Sequence, residues 1–208
     1  MRESKYVQIT DTLAGVLSGE PSRGAVLIST GAGGTMETPL LVKTAEGLND
    51  LGFLTLRWNF GFTAARRAAS AGGKREIPEM MLAIEYLERE STGTPIILIG
   101  KSFGARLSTY IGAERDDIAG YVYYGLPLIG AGKNARARDW SHLAKLQGKI
   151  LFITGEKDKL CPLPELTKAQ KYLTTNFDST VVKGDHSFKP RGEDAALMRC
   201  LEWMSASF

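Results

Sequence analysis

The sequence predicts an α/β fold, a mostly parallel twisted sheet with helices on both faces. Strand-length apolar runs alternate with helical patterns about five times along the 208 residues, which is economically solved by βαβ units. Several of those runs are continuous rather than alternating, as in strands buried on both faces. There is also no repeat, low-complexity tract or long linker, so residues 1–208 are expected to form a single domain.

Each element follows from its own pattern. Tyr6–Ile9 and Leu13–Leu17 read as an antiparallel pair at one edge of the sheet. Ala25-Val26-Leu27-Ile28-Ser29 is the first parallel strand and ends in Gly31. Thr38-Pro39 supplies a helix N-cap and a proline at the first helical position. Leu40, Leu41, Thr44, Leu48 and Leu51 then trace one helical face. Phe53–Leu56 is a short strand, followed by an irregular stretch up to Ile77-Pro78. Ile77, Met80, Met81, Ile84 and Leu87 mark an amphipathic helix. Ile96–Ile99 is a strand and Phe103–Ile111 a helix. Tyr121–Tyr124 and Ile150–Ile153 are strands, Pro164–Leu173 a helix and Thr180–Val182 the last strand. A closing helix carries Ala196, Leu197, Cys200, Leu201 and Met204.

Composition narrows the function classes. The chain is 43% hydrophobic and 24% charged, as soluble globular proteins are. No run of 18 or more apolar residues exists, so no membrane partner is expected. The first residues lack the apolar core of a signal peptide, so a cytoplasmic location is expected. Net charge is only +3, from 26 basic and 23 acidic residues, which argues against a nucleic-acid partner. Two cysteines, Cys161 and Cys200, make no disulfide framework. Two histidines, His142 and His186, nearly exclude zinc sites, so neither a metal nor a cofactor is expected.

The chemistry centres on Ile96-Ile97-Leu98-Ile99-Gly100-Lys101-Ser102-Phe103-Gly104-Ala105. It contains G-x-S-x-G between a strand and a helix, the setting of a nucleophile elbow that presents a serine above the sheet edge. Gly100 and Gly104 are required because side chains there would meet strand and helix backbone. The plainer reading is a glycine-rich turn with an incidental serine. Gly100-Lys101-Ser102 is also the tail of a P-loop, but Pro95 stands where that motif needs glycine. Nucleotide hydrolysis fails there.

A serine nucleophile needs a base, and the base an orienting acid. His186 follows the last strand and has the right chain order. His142 comes too early and is expected to be a partly exposed or capping residue. The acid is expected after the strand at 150, where Asp158 is better placed than Glu156. Asp185, adjacent to His186, would point away in an extended backbone. Two backbone amides are expected to stabilise an oxyanion, those of Phe103 and of Ala32 in Thr30-Gly31-Ala32-Gly33-Gly34-Thr35-Met36. Met36 stands where the G-x-G-x-x-G fingerprint needs its last glycine, so that loop is no dinucleotide site.

With these motifs in view, the chain resembles short α/β-hydrolase-like proteins related to dienelactone hydrolases, a group with eukaryotic relatives in chromatin-associated assemblies. The resemblance spans residues 24–206. It rests on Gly31-Ala32-Gly33 with Met36 and Pro39, on Gly100–Arg106, on Gly155-Glu156-Lys157-Asp158 and on Gly184–Arg191. It implies an α/β-hydrolase fold and a metal-free Ser102, Asp158, His186 triad. The sequence departs from many relatives at Thr30, where they carry histidine. It departs from dienelactone hydrolases at Ser102, where they use cysteine. The expectation is therefore a serine hydrolase acting on an ester, thioester or related small acyl substrate; the alternative is a non-catalytic interaction module. About 25 residues between Tyr124 and Ile150 leave room for a minimal lid. Lys101, Arg57, Lys133, Arg136 and Arg138 are candidates to surround the site and favour an acidic substrate, the plainer alternative being a solvated basic face.

Overall fold

The computed structural model describes residues 4–130 and 136–208. Lys133 therefore lies outside the described residues. Eight strands form one sheet: β1 (Lys5–Thr10), β2 (Leu13–Ser18), β3 (Gly24–Ser29), β4 (Phe53–Trp58), β5 (Ile96–Lys101), β6 (Ile118–Tyr124), β7 (Lys149–Gly155) and β8 (Phe177–Val182). Their spatial order is β1-β2-β4-β3-β5-β6-β7-β8. The β1–β2 pair is antiparallel, as expected of the N-terminal segments; β2 also pairs antiparallel with β4, and every other pair is parallel.

Among the described residues the α-helices are α1 (Pro39–Asp50), α2 (Gly61–Ala64), α3 (Glu76–Glu90), α4 (Phe103–Gly112) and α5 (Leu163–Gln170), which lie between strands, and α6 (Glu193–Ser207), which follows β8. Side chains alternate across each strand and so feed two cores. Ala25, Leu27, Ile96 and Leu98 pack beneath Met80, Ile84 and Leu87 of α3 and Leu107 of α4. Val26, Ile28, Ile97 and Ile99 pack on the other face with Leu41 and Leu48 of α1 and Cys200 and Met204 of α6. Both faces are covered, which explains the continuous apolar runs.

Thr38 departs from the capping rule. It stands at the N-cap of α1 but makes no side-chain cap bond. Its Oγ1 instead donates to the Thr35 carbonyl and accepts from the Thr35 N–H. The preceding turn competes successfully for the hydroxyl.

Topology positions the site. From β3 the chain crosses to β4 on one side and then returns to β5 on the other. The carboxyl ends of β3 and β5 thus flank the switch point, where ligands bind in such sheets. Between Tyr124 and Ile150 the described residues hold an isolated bridge, Ile129 to Ala137, and a short 3-10 turn at Ser141–Lys145. Among the described residues no α-helix caps this end, and no helix is long and apolar enough to cross a membrane.

Candidate active site

Ser102 joins β5 to α4 with φ +52° and ψ −108°, a strained conformation for a residue with a side chain. A Cβ on Gly100 would lie 2.3 Å from the Ala105 nitrogen, and one on Gly104 2.7 Å from the Ser29 carbonyl oxygen. The two glycines are therefore obligatory, and the turn is as tight as the motif demands. The Ser102 N–H donates to the Tyr124 carbonyl at 2.9 Å, and the Gly104 N–H to the Thr30 carbonyl at 3.1 Å. These bonds tie the elbow to the neighbouring strand ends.

His186 lies in the loop after β8. Its Nε2 is 2.8 Å from Ser102 Oγ, and its Nδ1 is 2.7 Å from Asp158 Oδ2. Asp158, in the loop after β7, is 4% exposed. Its other oxygen, Oδ1, accepts the N–H groups of Leu160 (2.8 Å) and Cys161 (3.1 Å). Glu156, the reserve acid, is exposed and lies 3.9 Å from Lys157. His142 stands apart from this cluster. It is partly buried, lies 2.9 Å from Thr109 Oγ1 and stacks near Tyr110 and Trp140. Burial lowers its pKa.

The glycine-rich loop after β3 lines the same cleft. The cleft is about 410 Å³, bounded by residues including Gly31, Ala32, Lys101, Ser102, Leu160 and His186. Phe103 is the first residue of α4, so no earlier turn of the helix supplies an acceptor for its N–H. Among the described residues the Ala32 N–H makes no backbone hydrogen bond. The site therefore brings a hydroxyl, an imidazole, a carboxylate and two uncommitted amide donors to one sheet edge.

Sequence reasoning missed several supports. Gly125 follows β6 with φ +61°, and a Cβ there would lie 3.1 Å from Asp158 Oδ2 and 3.3 Å from the His186 ring. A glycine directly after a central strand was the available signal. Asp185 departs from the extended backbone expected of it. Residues 185–188 form a turn, with the Phe188 N–H donating to the Asp185 carbonyl, and the Asp185 side chain shapes that loop. Its Oδ1 accepts the N–H groups of Ser187 (2.8 Å) and Lys189 (3.1 Å), which holds its carboxyl below the usual range. Asn59 Oδ1 accepts the Met36 N–H at 2.8 Å.

Among the described residues, the candidate cations do not all surround the cleft. Arg57 is buried and donates to the Met36 carbonyl and to Glu37, so it braces the glycine-rich loop instead of lining the cleft. Arg136 is exposed, and Arg138 is partly buried at the base of the Ile129–Ala137 bridge. Of the described candidates, Lys101 is the one in the cleft wall.

Residues 22–202 match the alpha/beta hydrolase domain family. The chain belongs to that family. Its fold is similar to that of Est1E from Butyrivibrio proteoclasticus, with 18% identity, TM-score 0.76 and 98% of each chain covered. A dienelactone hydrolase from Anabaena variabilis aligns at 19% identity and TM-score 0.76, covering 99% of this chain and 97% of that one. A serine hydrolase without a lid from Xanthomonas campestris aligns at 17% identity and TM-score 0.71, covering 99% and 93%. At these identities the likeness shows the shared fold.

Proposed function

We propose that this alpha/beta hydrolase is a metal-independent, single-domain serine hydrolase of the cytoplasm, acting on an ester, thioester or related acyl bond. The observation that carries the reading is the line from Ser102 Oγ through His186 to Asp158, with contacts of 2.8 and 2.7 Å. Ser102 attacks the carbonyl while His186 Nε2 takes its proton, then returns it to the leaving group. Asp158 holds the tautomer with Nδ1–H. The amides of Phe103 and Ala32 meet the developing oxyanion. Water releases the acyl group by the same route, with His186 again as base.

A cleft of about 410 Å³ over which the described residues place no α-helical cap supports a small acyl substrate rather than a deeply buried chain. Two free, buried cysteines accord with a reducing compartment. Lys101 leaves an anionic substrate open to test. Turnover that is equal for neutral and anionic esters and indifferent to salt overturns that preference. The function itself is tested with a fluorophosphonate probe and short p-nitrophenyl esters. Wild type should be labelled and hydrolyse the esters, and Ser102→Ala should do neither. A folded wild type that does neither supports the non-catalytic module instead.

A further inference from the structure

Lys101 is the residue between the elbow glycine and the nucleophile, and the hydrolytic mechanism above gives it no task. Its side chain nonetheless crosses from the end of β5 to the loop after β8. There Nζ donates to the His186 carbonyl oxygen at 2.5 Å. The same ammonium sits 5.2 Å from the centre of the Phe188 ring. Phe188 is fully buried and holds φ +62°, an unfavourable conformation for an aromatic residue. The base therefore sits on a loop gripped at two points by the residue preceding the nucleophile.

We infer that Lys101 is a positioning residue, a clamp that fixes the His186 loop against the elbow so that Nε2 stays in line with Ser102 Oγ. The inference deepens the hydrolase reading and rests on it for its kinetic consequences. A loop carrying a general base needs such a tie because an error of about 1 Å in alignment costs on the order of 100-fold in rate. Ser102 and His186 are 84 residues apart, and the Lys101 side chain joins their two loops a second time, beside the Ser102–His186 contact itself.

The charge on the clamp is poised. Burial pulls the Lys101 pKa down to about 8, against the attraction of the Asp158 and Asp185 carboxylates. Cys161 and His186 are further titratable groups beside it on the loops after β7 and β8. Cys161 is itself pushed up to about 12 by burial, so it stays a thiol through this range. Below pH 8 the ammonium grips both the carbonyl and the ring. Above it, the neutral amine loses its attraction to Phe188 and donates more weakly.

The test compares wild type, Lys101→Met and Lys101→Arg on p-nitrophenyl acetate from pH 6 to 10. Lys101→Met should lower kcat about 10- to 100-fold with KM within about threefold. Wild-type kcat should fall through about pH 8. In Lys101→Arg, activity should recover and that fall should vanish, because a guanidinium does not titrate there. A Lys101→Met enzyme within twofold of wild type, or a wild-type kcat flat to pH 9.5, overturns the clamp. Proton NMR gives a second readout that needs no substrate and no variant. The His186 Nδ1–H resonance should be sharp at pH 7 and broaden through pH 8, and no broadening overturns the clamp. An enzyme inert to esters and probe defeats the hydrolase reading, while the NMR result still decides the clamp.

Discussion

His186 Nδ1 lies 2.7 Å from Asp158 Oδ2, while Asp158 Oδ1 accepts the N–H groups of Leu160 and Cys161. One carboxylate thus orients the imidazole and organises its own loop. In Asp158→Asn the two backbone donors keep the amide oxygen, which turns the NH2 group toward Nδ1. That forces the proton onto Nε2, the atom that must accept from Ser102. The fold should survive, kcat should fall about 10³- to 10⁴-fold, and fluorophosphonate labelling should slow in parallel. An Asp158→Asn enzyme within tenfold of wild type would show that the pair does not orient the base.

Gly125 is predicted to matter as much as a residue that touches substrate. It holds φ +61°, and a Cβ added to it would lie 3.1–3.3 Å from Asp158 Oδ2 and the His186 ring. Gly125→Ala should cost about 1 kcal/mol through the backbone alone. The methyl should also displace the pair and lower kcat by about 10-fold or more. Thermal melts and kcat on one preparation separate the two effects, and unchanged kcat refutes the second.

How far the site was legible in the sequence depended on how local its causes are. Gly100 is dictated by a collision with Gly104 and Ala105, a few residues from Ser102, whereas Gly104 faces Ser29 and Thr30 at the end of β3; both fall within one short motif, which is why it carries them. Asp158 and His186 follow from chain order, because each needs only to sit after a particular strand. Gly125, Asn59 and Lys101 were not legible as supports. Their partners are loops brought alongside by the order β4-β3-β5-β6-β7-β8, which no local pattern states. Arg57 shows the same limit from the other side. As a residue type it reads as a free cation, yet its strand register puts it beneath Met36 and Glu37. The longer helices were readable, since their apolar faces report burial directly. The four-residue α2 (Gly61–Ala64) lies in the stretch read as irregular, being too short to show a periodic face. An extended backbone would point Asp185 away from His186, but residues 185–188 form a turn, and its turn-forming role needed that compact loop to be seen.

Asn59 should act on the oxyanion loop at a distance. Its Oδ1 is the acceptor for the Met36 N–H, at the exit of the glycine-rich segment. Asn59→Leu leaves that N–H unpaired and loosens the loop carrying Ala32. The expected loss in kcat is about 10-fold, smaller than the roughly 10²–10³ for removing an oxyanion donor outright. KM for a small ester should change little, because Asn59 does not line the cleft. A rise in KM with constant kcat would place its effect in binding instead.

Metal removal offers a separate check on the chemistry. The nucleophile, base and oxyanion donors proposed here are all protein groups. Dialysis against EDTA should therefore leave kcat within experimental error of the untreated enzyme. A loss that zinc or another divalent ion restores would replace the serine mechanism with Lewis-acid chemistry.

Lys101 also makes a prediction about stability, and its sign is opposite to that for activity. The folded pKa of about 8 lies below the ordinary lysine value of 10.5, so the folded state disfavours the charged form. That penalty is fully present below pH 8 and is relieved as pH rises from about 8 to 10.5. Lys101→Met removes the charge and keeps an apolar stem in the cleft wall. At pH 7 it should stabilise the fold by about 1–3 kcal/mol, less whatever is lost with the hydrogen bond to the His186 carbonyl. The gain should shrink toward pH 10, where wild type no longer carries the charge. Denaturant titrations at pH 7 and pH 10 measure both values. A variant that is less stable at pH 7 would mean that the lysine holds the fold together rather than aligning the base.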